Sequence, residues 1–238
     1  MISVCIATYN GEKYIKQQLD SILSQLSDND EVIVSDDSST DGTLDIIHSL
    51  KDSRIQIFEG NSFHSPIYNF ENALKFAKGD YIFLADQDDV WKPNKVEICM
   101  NYLKQYDLVI SDAEIVDFNG HLISQSFFSV RGTKNGKYFN LIKNCYIGCC
   151  MAFTRKVLVK SLPFPKNLPM HDIWIGNVAS FLCGKVFFSP EKLIEYRRHE
   201  SNSSQTGTKS KRSLFTRLKE RIFTVKCLIK RKNDSQNL

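Results

Sequence analysis

Apolar runs of strand length alternate with stretches of helical periodicity over the first half of the chain. Five runs predict strands: ISVCIA, EVIVS, IQIF, YIFLA and DLVISD, at residues 2–7, 31–35, 55–58, 81–85 and 107–112. Between them, apolar residues three and four positions apart predict helices at residues 12–26, 44–50, 66–78 and 93–106. Strands alternating with helices of this length predict an α/β fold with a mostly parallel, doubly wound, Rossmann-like sheet flanked by helices.

The alternation weakens after residue 113. Residues 144–155 predict a strand, 171–183 a helix and 192–196 a last strand, and SNSSQTGTKSKRS resembles a linker. We therefore expect one large domain over residues 1–205. Its two halves would be residues 1–112 and 113–205, and a linker and tail would follow over residues 206–238.

The tail sequence LFTRLKERIFTVKCLIKRK predicts an amphipathic helix. One face carries Leu214, Leu218, Ile222, Val225 and Ile229, and residues 209–232 hold ten Lys and Arg against one Glu. The whole chain has a net charge of +4, so the rest of the chain is acidic. This pattern favours contact with an anionic membrane surface, and docking of the helix on the domain is the alternative.

Composition bounds the class of protein. With 238 residues, 42% apolar and 24% charged, the chain is an ordinary globular protein. It begins without a basic leader and has no run of 18 apolar residues, so we expect neither secretion nor membrane spanning. Seven cysteines predict free thiols, with Cys145, Cys149 and Cys150 as buried strand thiols rather than zinc ligands. The expected location is cytoplasmic, peripheral on the inner face of the cell membrane.

Polar clusters follow three of the predicted strands: ATYNG, SDDSSTDG and DQDD. In open α/β sheets, ligands bind beyond the carboxyl ends of the strands. If the fourth strand continues as extended chain, Asp86 and Asp88 point to the same side, where Mg²⁺ or Mn²⁺ would suit two carboxylates and a phosphate. The alternative is an acidic turn that caps the following helix.

Two further side chains have open roles. Tyr9 could stack on a base or sugar, or simply close the edge of the core. Asp37 could accept a hydrogen bond from a pyrimidine N3–H, or form a turn with Ser39 or Thr40. The chain lacks GxxxxGK[ST] and GxGxxG, which argues against a P-loop NTPase and a dinucleotide-dependent dehydrogenase.

The combination of SVCIATYNGEKYI, VIVSDDSSTDGT and GDYIFLADQDDVW resembles the inverting family 2 glycosyltransferases with the GT-A fold, over residues 1–200. ADQDDVW, with GCCMAFTR, HDIWIG and YRRHESN, looks most like the bacterial rhamnosyltransferase-like members that build surface polysaccharides. The resemblance implies a metal-binding DxD motif at Asp86-Gln87-Asp88, with Asp88 closest to the metal. It also implies that Tyr9 and Asp37 hold the nucleobase.

An inverting transfer needs a general base within reach of the acceptor hydroxyl. Asp172 in PMHDIWIG is the candidate, and the alternative is that it caps the helix that follows. The resemblance favours the catalytic role. It also suggests that His199 joins the metal, while Arg197 and Arg198 have the chemistry to bind diphosphate oxygens.

The sequence therefore predicts a metal-dependent inverting glycosyltransferase that uses Mn²⁺ or Mg²⁺. Its donor would be a UDP- or dTDP-sugar, with dTDP-rhamnose as one candidate, and its acceptor a hydroxyl of a glycan or lipid-linked glycan. The predicted site comprises the catalytic base Asp172; the nucleotide-binding residues Thr8, Tyr9, Asn10, Glu12, Asp37, Asp86 and Gln87; the metal ligands Asp88, Asp86 and His199; and the phosphate or acceptor contacts Arg197, Arg198, His171 and Trp174. A nucleotidyltransferase and a non-catalytic carbohydrate-binding relative are the alternatives, and no nucleic-acid partner is expected.

Overall fold

A computed structural model of the protein describes residues 1–199 and 213–234. The strands are β1 Ile2–Thr8, β2 Glu31–Asp36, β3 Ile55–Phe58, β4 Tyr81–Asp86, β5 Val90–Trp91, β6 Leu108–Val116, β7 Leu122–Ser124, β8 Met151–Thr154 and β9 Val186–Arg197. The helices are α1 Ile15–Leu23, α2 Thr43–Ser49, α3 Pro66–Phe76, α4 Lys95–Leu103, α5 Phe127–Arg131, α6 Lys137–Ile142, α7 Arg155–Ser161, α8 His171–Val178 and α9 Leu214–Asp234. The predicted boundary at 205/206 lies outside the described residues, as does nearly all of the predicted linker.

The first four long strands form the parallel half of the sheet. Strand β1 lies between β2 and β4, β3 extends the sheet beyond β2, and all three pairs are parallel. Val4, Ile33 and Leu84 are fully buried, because helices cover both faces of these strands and apolar side chains on either face lose their contact with water. The α/β prediction is confirmed, and the carboxyl ends of β1, β2 and β4 meet at one edge.

The second half of the sheet is mixed. Within the described residues the strand order is β3-β2-β1-β4-β8-β6-β9-β5, with β7 paired to β6. Strand β8 runs antiparallel between β4 and β6, so β6 does not extend the parallel order as its position in the sequence suggested. Strand β9 runs parallel to β6 and antiparallel to the short β5. Its end at Arg197 therefore arrives beside the loop that follows β4.

Helix α9 docks on the domain through one face. Thr224 and Leu228 are 3% and 6% exposed. The Arg231 guanidinium donates to the carbonyls of Leu162 and Pro163 and lies 5.7 Å from the centre of the Trp174 ring. This face of α9 therefore packs against the domain, which was the alternative to membrane contact in the sequence analysis.

The apolar face predicted for this helix is a different one. Leu218, Ile222 and Ile229 are 53%, 48% and 56% exposed, and Val225 is partly buried. The side chain of Leu214 lies outside the described part of the chain. Across the described residues, every helix is too short or too polar to cross a bilayer.

Candidate active site

The loops after β1 and β2 are joined by side-chain hydrogen bonds. Thr8 Oγ1 donates to Asp36 at 2.8 Å, Asn10 Oδ1 accepts from the backbone N–H of Thr40 at 2.8 Å, and a Glu12 carboxylate oxygen accepts from the N–H of Gly42 at 2.7 Å. Of the predicted nucleotide residues, Asn10 and Glu12 line the cleft, whereas Thr8 is buried beneath it. Thr8 therefore braces the rim instead of facing a ligand.

Gln87 holds Tyr9 in place from the loop after β4. Its side-chain oxygen accepts from the Tyr9 N–H at 2.9 Å, and its side-chain nitrogen donates to the Tyr9 carbonyl at 3.0 Å. The Tyr9 side chain is free of the core, with the residue 55% exposed at the cleft. The alternative of a core-edge role for Tyr9 is wrong, and its ring is available for stacking.

Asp37 is buried, only 5% exposed, and its carboxylate serves the loop before α3. Oδ1 accepts from the N–H of Phe63 at 2.6 Å and Oδ2 from the N–H of Ser65 at 3.1 Å. The turn with Ser39 is made by the preceding carboxylate, Asp36, at 2.8 Å. The proposed turn role of Asp37 is wrong, because its two oxygens already organise the neighbouring loop. Asp37 lines the cleft from that position.

The acidic triplet does not continue as a strand. Strand β4 ends at Asp86 and the chain turns at Gln87 and Asp88, so the period-two argument for one shared side does not apply. Asp88 instead meets the end of β9, where His199 Nε2 lies 2.7 Å from Asp88 Oδ2. The Tyr14 ring stacks on His199 with a centroid distance of 5.1 Å. The triplet is not a helix cap either, because the capping residue of α4 is Asn94.

Asp86 lies with a different pair of groups. Oxygen or sulfur atoms of Asp86, Asp89 and Cys149 fall within 4.8 Å of one another. Burial, together with the charges of Asp88 and Asp172, raises the pKa of Asp86 to about 7. Burial, together with the charges of Asp88 and Asp86, raises the pKa of Asp89 well above its ordinary value. Cys149 lies in a 3₁₀ turn over Gly148–Cys150, not in the strand that the sequence predicted.

This group of residues fits a divalent cation. Carboxylate oxygens are the preferred ligands of Mg²⁺ and Mn²⁺, and the neutral imidazole of a histidine is a common metal ligand. Burial first, and then repulsion by Asp88 and Asp172, disfavours the charged form of Asp86, and a bound cation would favour that form. The candidate ligands are Asp88 and His199, which lie 2.7 Å apart, and Asp86, which lies beside Asp89 and Cys149.

Asp172 lies in the first turn of α8 and faces the same cleft. The capping position of α8 is Met170, so the helix-cap alternative for Asp172 is wrong. Burial raises its pKa to about 6, against the opposing effects of the Arg131 charge and of hydrogen bonds from the backbone N–H groups of Ile173 and Gly148. The Ile173 N–H lies 2.6 Å from Asp172 Oδ1. A carboxyl group with this pKa is ionised at neutral pH and basic enough to take a proton.

His171 and Trp174, the predicted acceptor contacts on α8, occupy different environments. His171 lines the cleft, stacks on Phe70 at 4.2 Å and is kept neutral by burial, which lowers its pKa to about 3. Trp174 is fully buried, and its indole N–H donates to the Ser161 carbonyl at 2.8 Å. The prediction that Trp174 contacts a ligand is wrong, because α8 turns this side chain into the core.

The two arginines at the end of β9 also separate. Arg197 is 4% exposed, and its guanidinium donates to the Asp88 carbonyl at 2.9 Å and to Gln17 Oε1 at 2.8 Å. It therefore supports the Asp88 loop from behind, contrary to its predicted phosphate contact. Arg198 lines the cleft, and its Nη2 has no hydrogen-bond partner within the described residues.

Sequence reasoning missed several residues of the site. Arg131, on α5, lines the cleft and lowers the pKa of Asp172, and Asn144 lines it beside Arg131. Gly148 donates its N–H to Asp172, and an added Cβ there would lie 2.8 Å from His171 Nε2. Arg131 lies where no element was predicted, whereas Gly148 belongs to the GCCMAFTR motif that carried part of the resemblance.

The cleft is open, has a volume of about 1580 Å³ and lies at the carboxyl ends of β1, β2 and β4. It contains Tyr9, Asp37, Asp88, His199 and Asp172. The fold thus brings together groups from both halves of the chain.

The chain belongs to the family described as Glycosyl transferase family 2, whose model matches residues 3–162. The family assignment made from the three motifs is confirmed, and the rhamnosyltransferase-like subgroup stays a prediction. One relative is WfaP of Escherichia coli, named as a UDP-Glc:alpha-D-GlcNAc-diphosphoundecaprenol beta-1,3-glucosyltransferase. It is 33% identical over 165 residues, which are 69% of this chain and 64% of WfaP.

Two solved structures share the fold. Residues 1–349 of S. aureus TarS in complex with UDP-GlcNAc superimpose with a TM-score of 0.71 at 20% identity, covering 94% of this chain and 66% of that TarS chain. The mannosyltransferase PcManGT from Pyrobaculum calidifontis, in complex with GDP-Man and Mn²⁺, has a TM-score of 0.62 at 19% identity, covering 86% and 58%. These likenesses show the GT-A fold. The chain covers 64% of the length of WfaP and 66% and 58% of the two solved chains.

Proposed function

We propose that this protein transfers a sugar from a nucleotide diphosphate sugar to a hydroxyl group of a glycan acceptor, with inversion at the anomeric carbon. One observation carries the proposal: Asp88, His199 and Asp172, from three distant parts of the chain, converge on a single cleft. The family supports the class of reaction, and the site supplies the chemistry that the reaction needs.

The reaction is a single displacement. The acceptor oxygen forms a bond to the anomeric carbon while the bond from that carbon to the diphosphate oxygen breaks, and the nucleotide diphosphate leaves with the electron pair. Asp172 accepts the proton of the acceptor hydroxyl. Gly148 and Ile173 orient the Asp172 carboxylate through their N–H groups, so that it is held ready for this transfer.

On the donor side, Asp88, His199 and Asp86 would hold a divalent cation, as either Mn²⁺ or Mg²⁺. When bound, the cation would neutralise charge developing on the departing diphosphate. Arg198 lines the same cleft and offers a guanidinium to a phosphate oxygen. The Mn²⁺ in the solved PcManGT complex supports the metal proposal.

The donor and acceptor are proposed from the relatives. WfaP is named for a UDP-sugar and for an acceptor linked to diphosphoundecaprenol, and TarS was solved with UDP-GlcNAc. We therefore propose a UDP-sugar donor in preference to a dTDP-sugar. We also propose a lipid-linked acceptor used at the inner face of the cell membrane.

The test is incubation of the purified chain with a panel of UDP- and dTDP-sugars and a lipid-linked saccharide, measuring released nucleotide and the anomeric configuration of the product. We expect one donor to be consumed with inversion, and activity to vanish in EDTA and return with Mn²⁺ or Mg²⁺. A product with retained configuration, or full activity in EDTA, would contradict the proposal. Asp20→Asn, at an exposed carboxylate on α1, is the control for changes in the acidic residues.

A further inference from the structure

Helix α9 has two distinct faces. Thr224, Leu228 and Arg231 define the docked face, which packs against the domain. The outer face carries Phe215, Leu218, Ile222 and Ile229, which are 48% to 66% exposed. At 3.6 residues per turn, the outer residues lie roughly 140° around the helix axis from the docked ones. Docking therefore leaves the apolar stripe facing away from the protein.

Helix α6 extends this apolar surface. The Arg221 guanidinium donates to the Ile142 carbonyl, which ties the end of α6 to α9. Ile142 is 65% exposed, and Tyr138, one turn earlier on the same face of α6, is 67% exposed. We call the outer face of α9, together with Tyr138 and Ile142, the outer surface.

Basic side chains border the outer surface. On α9, Lys219, Lys226 and Lys230 are exposed along one side of the apolar stripe, and on α6 Lys137 lies 5.1 Å from the Tyr138 ring. The Lys219 ammonium lies 4.4 Å from the centre of the Phe215 ring, so this side chain lies along the apolar stripe. The described part of α9 has two acidic residues, Glu220 and Asp234. An apolar stripe with cationic margins is complementary to an anionic lipid surface.

We infer that the outer surface binds anionic phospholipid bilayers while the docked face stays on the domain. The helix then acts as a fixed adaptor whose position relative to the cleft does not change on binding. Asn144, which lines the cleft, follows Ile142 by two residues, so the rim near Asp172 lies beside the bilayer. The bilayer contact is independent of the proposed reaction, because it needs no sugar donor.

Deleting the tail would not test this inference. Leu228 and Thr224 are buried against the domain, so removal of the helix would expose the surface that they cover. Substitutions confined to the outer face leave that contact intact. Leu218→Gln/Ile222→Gln is the main variant, and Leu122→Gln/Ile123→Gln, on β7, is its matched control, with one Leu and one Ile at 53% and 56% exposure.

The measurement is co-sedimentation of the full chain with vesicles of phosphatidylcholine alone or mixed with phosphatidylglycerol, at low and high salt. We expect wild type and the β7 control to pellet with the anionic vesicles and to be released by salt. Leu218→Gln/Ile222→Gln should lower vesicle affinity by roughly tenfold or more. Lys219→Gln and Lys226→Gln should each lower it by about fivefold.

Melting temperature and nucleotide binding, measured on the same preparations, should be unchanged in all four variants. The inference is overturned if Leu218→Gln/Ile222→Gln pellets like wild type, or if phosphatidylcholine vesicles bind equally well. It is also overturned if the wild-type protein does not bind vesicles and elutes as a dimer, while Leu218→Gln/Ile222→Gln elutes as a monomer. That result would make the outer surface an interface between two copies of the chain. Failure of the glycosyltransferase assay would leave the vesicle result unaffected.

Discussion

At the scale of single residues, Asp172 carries the most specific expectation. Asp172→Asn keeps the side-chain size and an oxygen for the Ile173 N–H but removes the basicity. We expect transfer to fall by roughly 10²-fold or more, with nucleotide and metal affinity nearly unchanged. Measurement of kcat and nucleotide Kd on one preparation tests this, with Asp20→Asn as the control. A near-normal kcat would remove Asp172 from the mechanism.

The raised pKa of Asp172 also predicts a pH dependence of stability. The folded protein holds this proton up to a pH of about 6, whereas the unfolded chain releases it near 3.8. Between these values the folded state binds more protons, so this group favours folding below pH 3.8 and loses that contribution as the pH rises through about 6. The Asp172→Asn side chain does not ionise, so the variant lacks this contribution to the pH dependence of stability.

The melting temperature of Asp172→Asn should therefore exceed that of wild type at pH 8 and approach it near pH 4. Thermal unfolding of both proteins across that range provides the measurement. The rate of transfer by wild type should rise with pH through about 6 and then level off. A variant less stable than wild type at pH 8 would show that the hydrogen bonds to the carboxylate outweigh its desolvation.

The sequence made Asp172 a candidate base because it is a carboxylate at the start of a predicted apolar helix, and the family resemblance favoured that role over a helix cap. It could not exclude the helix cap, since that depends on where α8 begins, and Met170 proved to be the capping residue. Trp174 shows the reverse error: it is near Asp172 in sequence, but the helix turns it into the core. Which side of a helix faces the cleft was not readable from its sequence alone.

At the scale of elements, Asp37 joins β2 to the start of α3. Its two oxygens accept from Phe63 and Ser65, and Ser65 is the capping residue of α3. Asp37→Ala should therefore destabilise the fold by about 1.5 to 3 kcal/mol, the range for a hydrogen bond to a charged group, because the N–H groups of Phe63 and Ser65 lose their charged acceptor. The measurement is urea unfolding, with Asp28→Ala at an exposed loop position as the control.

Nucleotide binding by the folded Asp37→Ala variant separates two roles of this residue. His64 and Ser65 line the cleft on the loop that Asp37 holds, so we expect weaker binding of UDP in titration calorimetry. Unchanged affinity would make Asp37 a structural residue only. Asp37→Asn, which keeps one carbonyl oxygen as acceptor, should lie between the wild type and Asp37→Ala in stability.

The docked face of α9 gives the second prediction at this scale. Leu228→Ala should destabilise the protein by about 2 to 5 kcal/mol, because a buried aliphatic side chain is lost beside the surface that includes α8. Vesicle affinity per folded molecule should not change. Comparison of melting temperature and co-sedimentation with Leu218→Gln/Ile222→Gln tests whether the two faces are independent. Equal destabilisation by both variants would contradict this division.

At the scale of the whole molecule, the parallel half of the sheet was predictable and the mixed half was not. The strands β1, β2 and β4 are mostly apolar runs because they are buried on both faces, and such runs are recognisable in sequence. Strand β8 is four residues long and antiparallel, and its place between β4 and β6 depends on long-range pairing. Local sequence patterns do not predict such a pairing. Only the family resemblance therefore suggested that His199 lies close to Asp88.

The same convergence leads to the last prediction, which concerns coupling between metal, nucleotide and stability. Asp86, Asp88 and Asp172 repel one another in the cleft, and burial raises the pKa of Asp86 to about 7, so the fold carries an electrostatic penalty that a cation would relieve. A diphosphate brings further negative charge and needs the same cation. Mn²⁺ and UDP should therefore bind cooperatively, and each should stabilise the folded protein more when the other is present.

Thermal unfolding with Mn²⁺, with UDP, with both and with neither measures this coupling. With each ligand at about 100 times its own Kd, one ligand alone should stabilise the fold by about 2.7 kcal/mol, and the two together by more than about 5.4 kcal/mol, the sum expected without coupling. Asp88→Asn should abolish the effect of Mn²⁺ and most of the added effect of UDP, whereas Asp20→Asn should behave as wild type. Strictly additive shifts in wild type would show that metal and nucleotide occupy separate sites, and the cluster of Asp88 and His199 would then need another role.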